Sequence, residues 1–158
     1  MADDLKAEDR VEPELDGRGL RIGIAASRFN DHVTRRLFEG VRRGLAGTGV
    51  AEADITEVWV PGAFEIPLML RKLAEGKSYD ALIALGAVVR GGTPHFDYVC
   101  DGATYGTMKV MLETGIPVAF GCRHASPDRD SHRCSPQLAG RSVACQGRTR
   151  IGRGPAAG

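Results

Sequence analysis

The run Ala81-Leu82-Ile83-Ala84-Leu85-Gly86-Ala87-Val88-Val89 contains no polar side chain. An amphipathic helix or a half-exposed strand would show polar residues at a regular period. A short unbroken apolar run, closed by Arg90-Gly91-Gly92-Thr93-Pro94, reads instead as a strand buried on both faces, central in a parallel sheet. That assignment constrains everything around it. Parallel neighbours need long crossover connections, and the connecting helices must cover both faces of the sheet.

The flanking sequence supplies those parts. Ile22-Gly23-Ile24-Ala25-Ala26 reads as another buried strand. Asn30 or Asp31 suits a helix cap, and Val33, Leu37, Val41 and Leu45 then recur every four residues as an apolar stripe, with Arg35, Arg36, Arg42 and Arg43 on the wet side. Gly47 and Gly49 end that helix. Ile55 to Val60 is a β-branched and aromatic strand followed by the Pro61-Gly62 turn. Pro67 fits a helix's first turn, Leu68, Met69, Leu70 and Leu73 give it an apolar face, and Gly76 stops it. After the central strand, a helix is predicted around Phe96–Glu113, weakened by Gly102 and Gly106, and a fourth strand at Ile116–Phe120. The fold class is therefore α/β, three-layer α/β/α, with a parallel four-stranded sheet and helices on both faces.

Ligands of such sheets bind beyond the C-terminal strand ends. Four motifs lie there: Ser27-Arg28-Phe29-Asn30, Gly62-Ala63-Phe64-Glu65, the loop from Gly91 to His95, and Phe120-Gly121. Backbone N–H groups of Gly91-Gly92-Thr93, ahead of a helix start, suit an anion such as phosphate. His95 follows at once, and an imidazole exchanges protons near neutral pH; a surface histidine at a helix start accounts for it equally well. Glu65 suits a polyol or a heterocycle N–H, or simply the positive end of a helix. Phe29 suits stacking on a planar ligand, or core packing.

With 158 residues, one domain is expected. A net charge of +1 makes no case for nucleic acid. No apolar run approaches the roughly 20 residues of a membrane helix. The acidic start Met1-Ala2-Asp3-Asp4 lacks the apolar core of a secretion signal, so a cytoplasmic chain with reduced thiols is expected. Three regions are distinguished: a flexible arm over 1–19, a folded domain over 20–121, and a basic tail over 122–158. The tail holds seven arginines against Asp128 and Asp130, making it formally +5 and the remainder −4. Its large aliphatics after Ala125 are Leu138, Val143 and Ile151 alone, too few for a helical stripe, and disorder is predicted from about residue 123. Cys122-x-His124 and His132-x-Cys134 offer zinc-type side chains, but without the longer spacings and ordered scaffold of structural zinc sites. Cys100 reads as a packed helical thiol. No glycine-rich nucleotide fingerprint or lysine phosphate loop is present to support a nucleotide-binding module.

The motifs Arg28-Phe29-Asn30, Val60 through Pro67, Leu85 through Cys100 and Thr114 through Gly121 together resemble the lumazine synthases, over about residues 18–121. The resemblance implies a flavodoxin-like fold. It implies condensation of 5-amino-6-(D-ribitylamino)uracil with 3,4-dihydroxy-2-butanone 4-phosphate in riboflavin biosynthesis, without metal or organic cofactor. By the same resemblance His95 is the proton-transfer residue and Phe29 stacks on the pyrimidine. Ala63, Phe64 and Glu65 hold the ribityl chain and ring, and Ala87, Val88 and Val89 line the pyrimidine pocket. Gly92 and Thr93 form the phosphate loop, and Phe120 comes from a neighbouring subunit. The implied assembly is a homopentamer, or a 60-subunit icosahedral shell of pentamers, with riboflavin synthase as a companion, and with neither nucleic acid nor membrane as partner.

The resemblance also implies two further helices after Phe120-Gly121, the first carrying an arginine for the substrate phosphate. Ungapped counting places that arginine at Cys134, beside Arg133, outside any recognisable helix motif, so the role is not transferred. The tail's bias toward Arg, Gly, Pro, Ser and Cys resembles a GC-rich reading frame read out of phase. Two readings follow: an active enzyme, or a catalytically impaired relative that acts only as a binding or assembly module.

Overall fold

The run Ala81–Val89 is strand β3 of a four-stranded parallel sheet, flanked on both sides. The computed structural model describes residues 15–125, so the tail beyond Ala125 and the first part of the expected arm lie outside the described residues. In chain order the elements are β1 (Ile22–Ser27), α1 (Asp31–Gly47), β2 (Ile55–Val60), α2 (Ile66–Glu75), β3, α3 (His95–Thr114) and β4 (Val118–Ala125). Single 3-10 turns at Glu52–Asp54 and Ala63–Glu65 precede β2 and α2.

The spatial order is β2-β1-β3-β4. Pairing runs from Ile22↔Ala81 to Ala26↔Leu85 on one side of β3, and from Leu82↔Val118 to Val89↔Ala125 on the other. The chain leaves β1 toward β2 in one direction and later moves from β3 to β4 in the other. Crossovers of one hand then put their helices on opposite faces. Phe38, Val41 and Leu45 of α1 pack on Ile22, Ile24, Ile83 and Leu85. Ile66, Leu70 and Ala74 of α2, with Ala103 and Val110 of α3, pack on Leu82, Ala84, Val88 and Val118. Alternate residues of β3 thus serve two cores, which is why none of them is polar.

Three details depart from the sequence pattern. The buried stripe of α1 is Thr34, Phe38, Val41 and Leu45, with Leu37 only partly buried. A strict spacing of four outruns the 3.6-residue turn, so the Val33/Leu37 end of the stripe rotates away from the sheet. Strand β4 runs past Phe120 through Gly121, Cys122, Arg123 and His124 to Ala125, because its backbone keeps pairing with Gly86 through Val89. Ordered chain also precedes β1: the Gly17 N–H donates to the Thr48 carbonyl at 2.7 Å, and Leu20 packs against the α1 core. Among the described residues, no helix is long and apolar enough to cross a membrane.

One buried and one partly buried group in the α3–β4 layer generate predictions. The Thr107 hydroxyl is buried without a hydrogen-bond partner among the described residues. Thr107→Val removes that desolvated group with little change of shape. It is expected to stabilise the fold by about 1 kcal/mol, read as a higher urea midpoint at unchanged slope. Burial, and secondarily the neighbouring Cys100, push the Cys122 thiol from 9.0 up to about 12. The folded chain therefore keeps a proton that the unfolded chain releases. The resulting stabilisation is whole below pH 9.0 and is lost as pH rises toward about 12. Urea unfolding at about pH 8 and about pH 10 should show a loss that Cys122→Ala reduces.

Candidate active site

The loops after β1, β2 and β3 meet at the C-terminal edge of the sheet, where the strand order reverses between β1 and β3. After Ser27, the Arg28 N–H donates to the Val60 carbonyl at 2.8 Å and the Phe29 N–H to the Pro61 carbonyl at 2.9 Å. Asn30 occupies the helix-cap position in left-handed geometry, φ 59°, but its side chain makes no capping bond. The amide instead reaches across the sheet edge and donates to the Ala87 carbonyl at 3.0 Å. The β1 loop is thus tied to both neighbours. With its backbone held this way, the Phe29 ring is left 71% exposed.

The second loop turns at Pro61-Gly62 into the 3-10 turn Ala63–Glu65. Ala63 is buried and anchors the turn, while Phe64 and Glu65 are exposed. The Glu65 carboxylate accepts the Gly62 N–H at 2.8 Å. It therefore performs the helix-start role the sequence allowed, while remaining on the cavity wall.

The third loop leaves β3 at Val89. Arg90 donates to both carboxylate oxygens of Asp97, at 2.5 and 3.4 Å, and its guanidinium lies 4.4 Å from the centre of the Phe96 ring. This contact closes the base of the Gly91–Pro94 loop. A Cβ at Gly91 or Gly92 would meet nothing within 4 Å, so the loop is open on its outer side. Helix α3 begins at His95; the Asp97 N–H donates to the Pro94 carbonyl at 3.0 Å, and the other first-turn N–H groups are of the kind an α-helix leaves without internal acceptors.

The three loops enclose a cavity of about 680 Å³. Of the residues singled out in the sequence, Phe29, Ala63, Phe64, Glu65, Ala87, Val88, Val89, Thr93 and His95 line it. Gly92 does not, although its neighbours Gly91 and Thr93 do. Phe120 stands apart on β4, exposed, with its ring centre 6.2 Å from that of His124. The lining also includes Gly62, from the second strand-end motif, and Pro61, Phe96, Tyr98 and Val99, to which the sequence assigned no site role. Tyr98 and Val99 follow His95 by three and four residues, the spacing that shares a helix face, and that signal alone would have found them. Among the described residues, no group of three or more His, Cys, Asp or Glu side chains forms a metal-binding cluster.

Residues 19–141 match the family model for 6,7-dimethyl-8-ribityllumazine synthase. The chain belongs to that family. The 6,7-dimethyl-8-ribityllumazine synthase of Lactiplantibacillus plantarum (strain ATCC BAA-793 / NCIMB 8826 / WCFS1) is 54% identical over 108 residues, covering 68% of this chain and 68% of the relative. The four-stranded parallel sheet is the flavodoxin-like arrangement of lumazine synthases. The family match passes the Gly121 at which the strand–helix alternation fades and continues into residues outside those described.

In this lumazine synthase family member, Asn30 is the cross-strand tie of the site, and its two properties separate by mutation. Asn30→Gly keeps the left-handed backbone but drops the bond to Ala87, and should cost about 1 kcal/mol. Asn30→Ala adds the left-handed penalty, roughly 1–2 kcal/mol more. Denaturant titration of both variants checks the order; equal losses would rule out a backbone contribution.

Proposed function

We propose that the chain is a 6,7-dimethyl-8-ribityllumazine synthase of riboflavin biosynthesis, joining 5-amino-6-(D-ribitylamino)uracil to 3,4-dihydroxy-2-butanone 4-phosphate. One observation carries this reading: His95 and Thr93, at the open glycine loop, line the same cavity as Phe29 and Glu65. A phosphate-bearing ketone and a planar polyol-bearing amine thus have adjoining places. The aromatic Phe29 offers a stacking surface for the pyrimidine, and the backbone of Ala87 through Val89 offers its edge a wall. The 63–65 turn holds the ribityl chain. The backbone of the loop through Gly92, whose neighbours Gly91 and Thr93 line the cavity, holds the phosphate.

In this reading the uracil's primary amine attacks the ketone carbon, and loss of water leaves an imine. Elimination of phosphate follows, and attack of the ribitylamino nitrogen on the carbonyl so formed closes the ring with loss of a second water. His95 carries protons among nitrogen, carbon and oxygen through these steps. Holding two substrates in one orientation supplies much of the acceleration, since effective molarities of such arrangements reach about 10⁵ M or more.

The assembly belongs to the same proposal. Phe120 is exposed, lies outside the cavity of its own chain, and in a homopentamer serves the neighbouring one. Tyr105, Met108 and Leu112 are exposed along α3, and Leu68 along α2, apolar side chains that a neighbouring subunit would cover. The pentamer, alone or packed with others into a 60-subunit shell around riboflavin synthase, would act in the cytoplasm.

The test is lumazine absorbance and fluorescence after mixing the full chain with both substrates, with light-scattering mass measured on the same sample. Product formed by a pentamer or larger species is expected. A monomer without turnover would overturn the enzymatic reading in favour of an impaired relative. His95→Ala should slow turnover by about 10²–10⁴-fold. An unchanged rate removes His95 from the chemistry.

A further inference from the structure

Gly102 and Gly106 interrupt the middle of α3, although glycine is a poor helix former. The structure gives both a reason. A Cβ on Gly102 would fall 2.4 Å from Cε2, 2.8 Å from Cδ2 and 3.4 Å from Cζ of Phe64. A Cβ on Gly106 would fall 2.7 Å from both Cβ and Cγ of Pro67. One helical turn apart, the two glycines leave a bare strip of backbone, and the residues flanking the end of the Ala63–Glu65 turn are seated on it. Gly102 follows His95 by seven residues, which brings it back to within about 20° of the same helix face. The face that presents His95 to the cavity thus also carries the seat for Phe64 on the opposite wall.

We propose that Gly102 is a positioning residue for substrate: by lacking a side chain, it sets where the Phe64 ring stands and so the gap between the 61–65 turn and His95. This rests on the proposed function for the role of the cavity. Gly102 itself lies behind the lining and acts only through Phe64. Phe64 as a residue is 59% exposed, so it is not wedged in a core. A methyl group at position 102 displaces the ring rather than breaking the fold, and alanine improves the helix. The effect therefore falls on binding geometry while stability holds or rises, which a merely structural role for Gly102 would not produce.

The experiment is a double-mutant cycle of Gly102→Ala and Phe64→Leu in the full chain, with Gly47→Ala as control because a Cβ there meets nothing within 4 Å. Gly102→Ala is expected to raise KM for the pyrimidine substrate about tenfold, with kcat little changed and thermal stability undiminished. In the Phe64→Leu background the same substitution should change KM by less than about twofold. Equal rises in both backgrounds, or no rise in either, overturn the inference. Wild-type turnover separately tests the proposed function. If wild type makes no lumazine, the seat is decided by nuclear Overhauser contacts between the Phe64 ring protons and the Gly102 Hα. Contacts that are present in wild type and lost in Gly102→Ala support the seat; their absence from wild type overturns it.

Discussion

The pairing of β3 between β1 and β4 is the constraint on which the rest depends. Because β3 is buried on both faces, hydrophobicity alone does not fix its register: a slip by one residue would exchange one apolar set for another. Gly86 supplies the missing specification. A Cβ there would lie 3.1 Å from Ile66 Cδ1, 3.2 Å from Ser27 Oγ and 3.3 Å from Cys122 Sγ, so α2, β1 and β4 all converge on that one point. Any slip that brought Leu85 or Ala87 to this place would meet all three. With Gly86 fixed, Ala87, Val88 and Val89 are delivered to the sheet edge as cavity wall.

From that edge the site assembles by short reaches. Parallel strands end on the same side of a sheet, so the loops after β1, β2 and β3 need no special device to meet there. What they need is mutual orientation. The Asn30 amide on the Ala87 carbonyl orients the first loop, the Glu65 carboxylate on the Gly62 N–H the second, and the Arg90–Asp97 contact with its stacked Phe96 the third. These are polar contacts at exposed or half-exposed positions, each contributing at most about 1 kcal/mol to global stability. Their consequence is local order in the loops, while the two apolar clusters beneath carry the stability.

The sequence reveals most of the framework because apolar runs and glycine–proline punctuation are local signals. Four strands, three helices and the three cavity loops follow from them. Its failures have identifiable physical causes. Cys122-Arg123-His124 falls in the basic tail by sequence because its side chains are mixed, yet an edge strand needs only backbone partners, and β3 provides them. Asn30 reads as a helix cap because local sequence does not reveal that Ala87 lies across the sheet edge. Gly102 and Gly106 read as helix weakeners because their compensation lies on Phe64 and Pro67, more than thirty residues earlier. Phe120 carries a strand-end position in the sequence, but β4 ends farther on and leaves the ring outside the cavity of its own chain.

The charge around the glycine loop bears on the chemistry proposed for it. Arg90 is the cation nearest the loop in sequence, and its guanidinium is committed to Asp97 and the Phe96 ring. Glu65, the carboxylate on the opposite wall, is held by its own turn. A phosphate bound at Gly92 and Thr93 would therefore meet backbone N–H dipoles and a helix start rather than a full positive charge from this loop. Dipoles of that kind stabilise a bound anion less than a paired cation does, by about the difference between a neutral and a charge-assisted hydrogen bond. For a reaction that must release inorganic phosphate at every turnover, moderate retention is an advantage. Under the proposed function, a loop of this kind would hold the ester for elimination and still let inorganic phosphate leave.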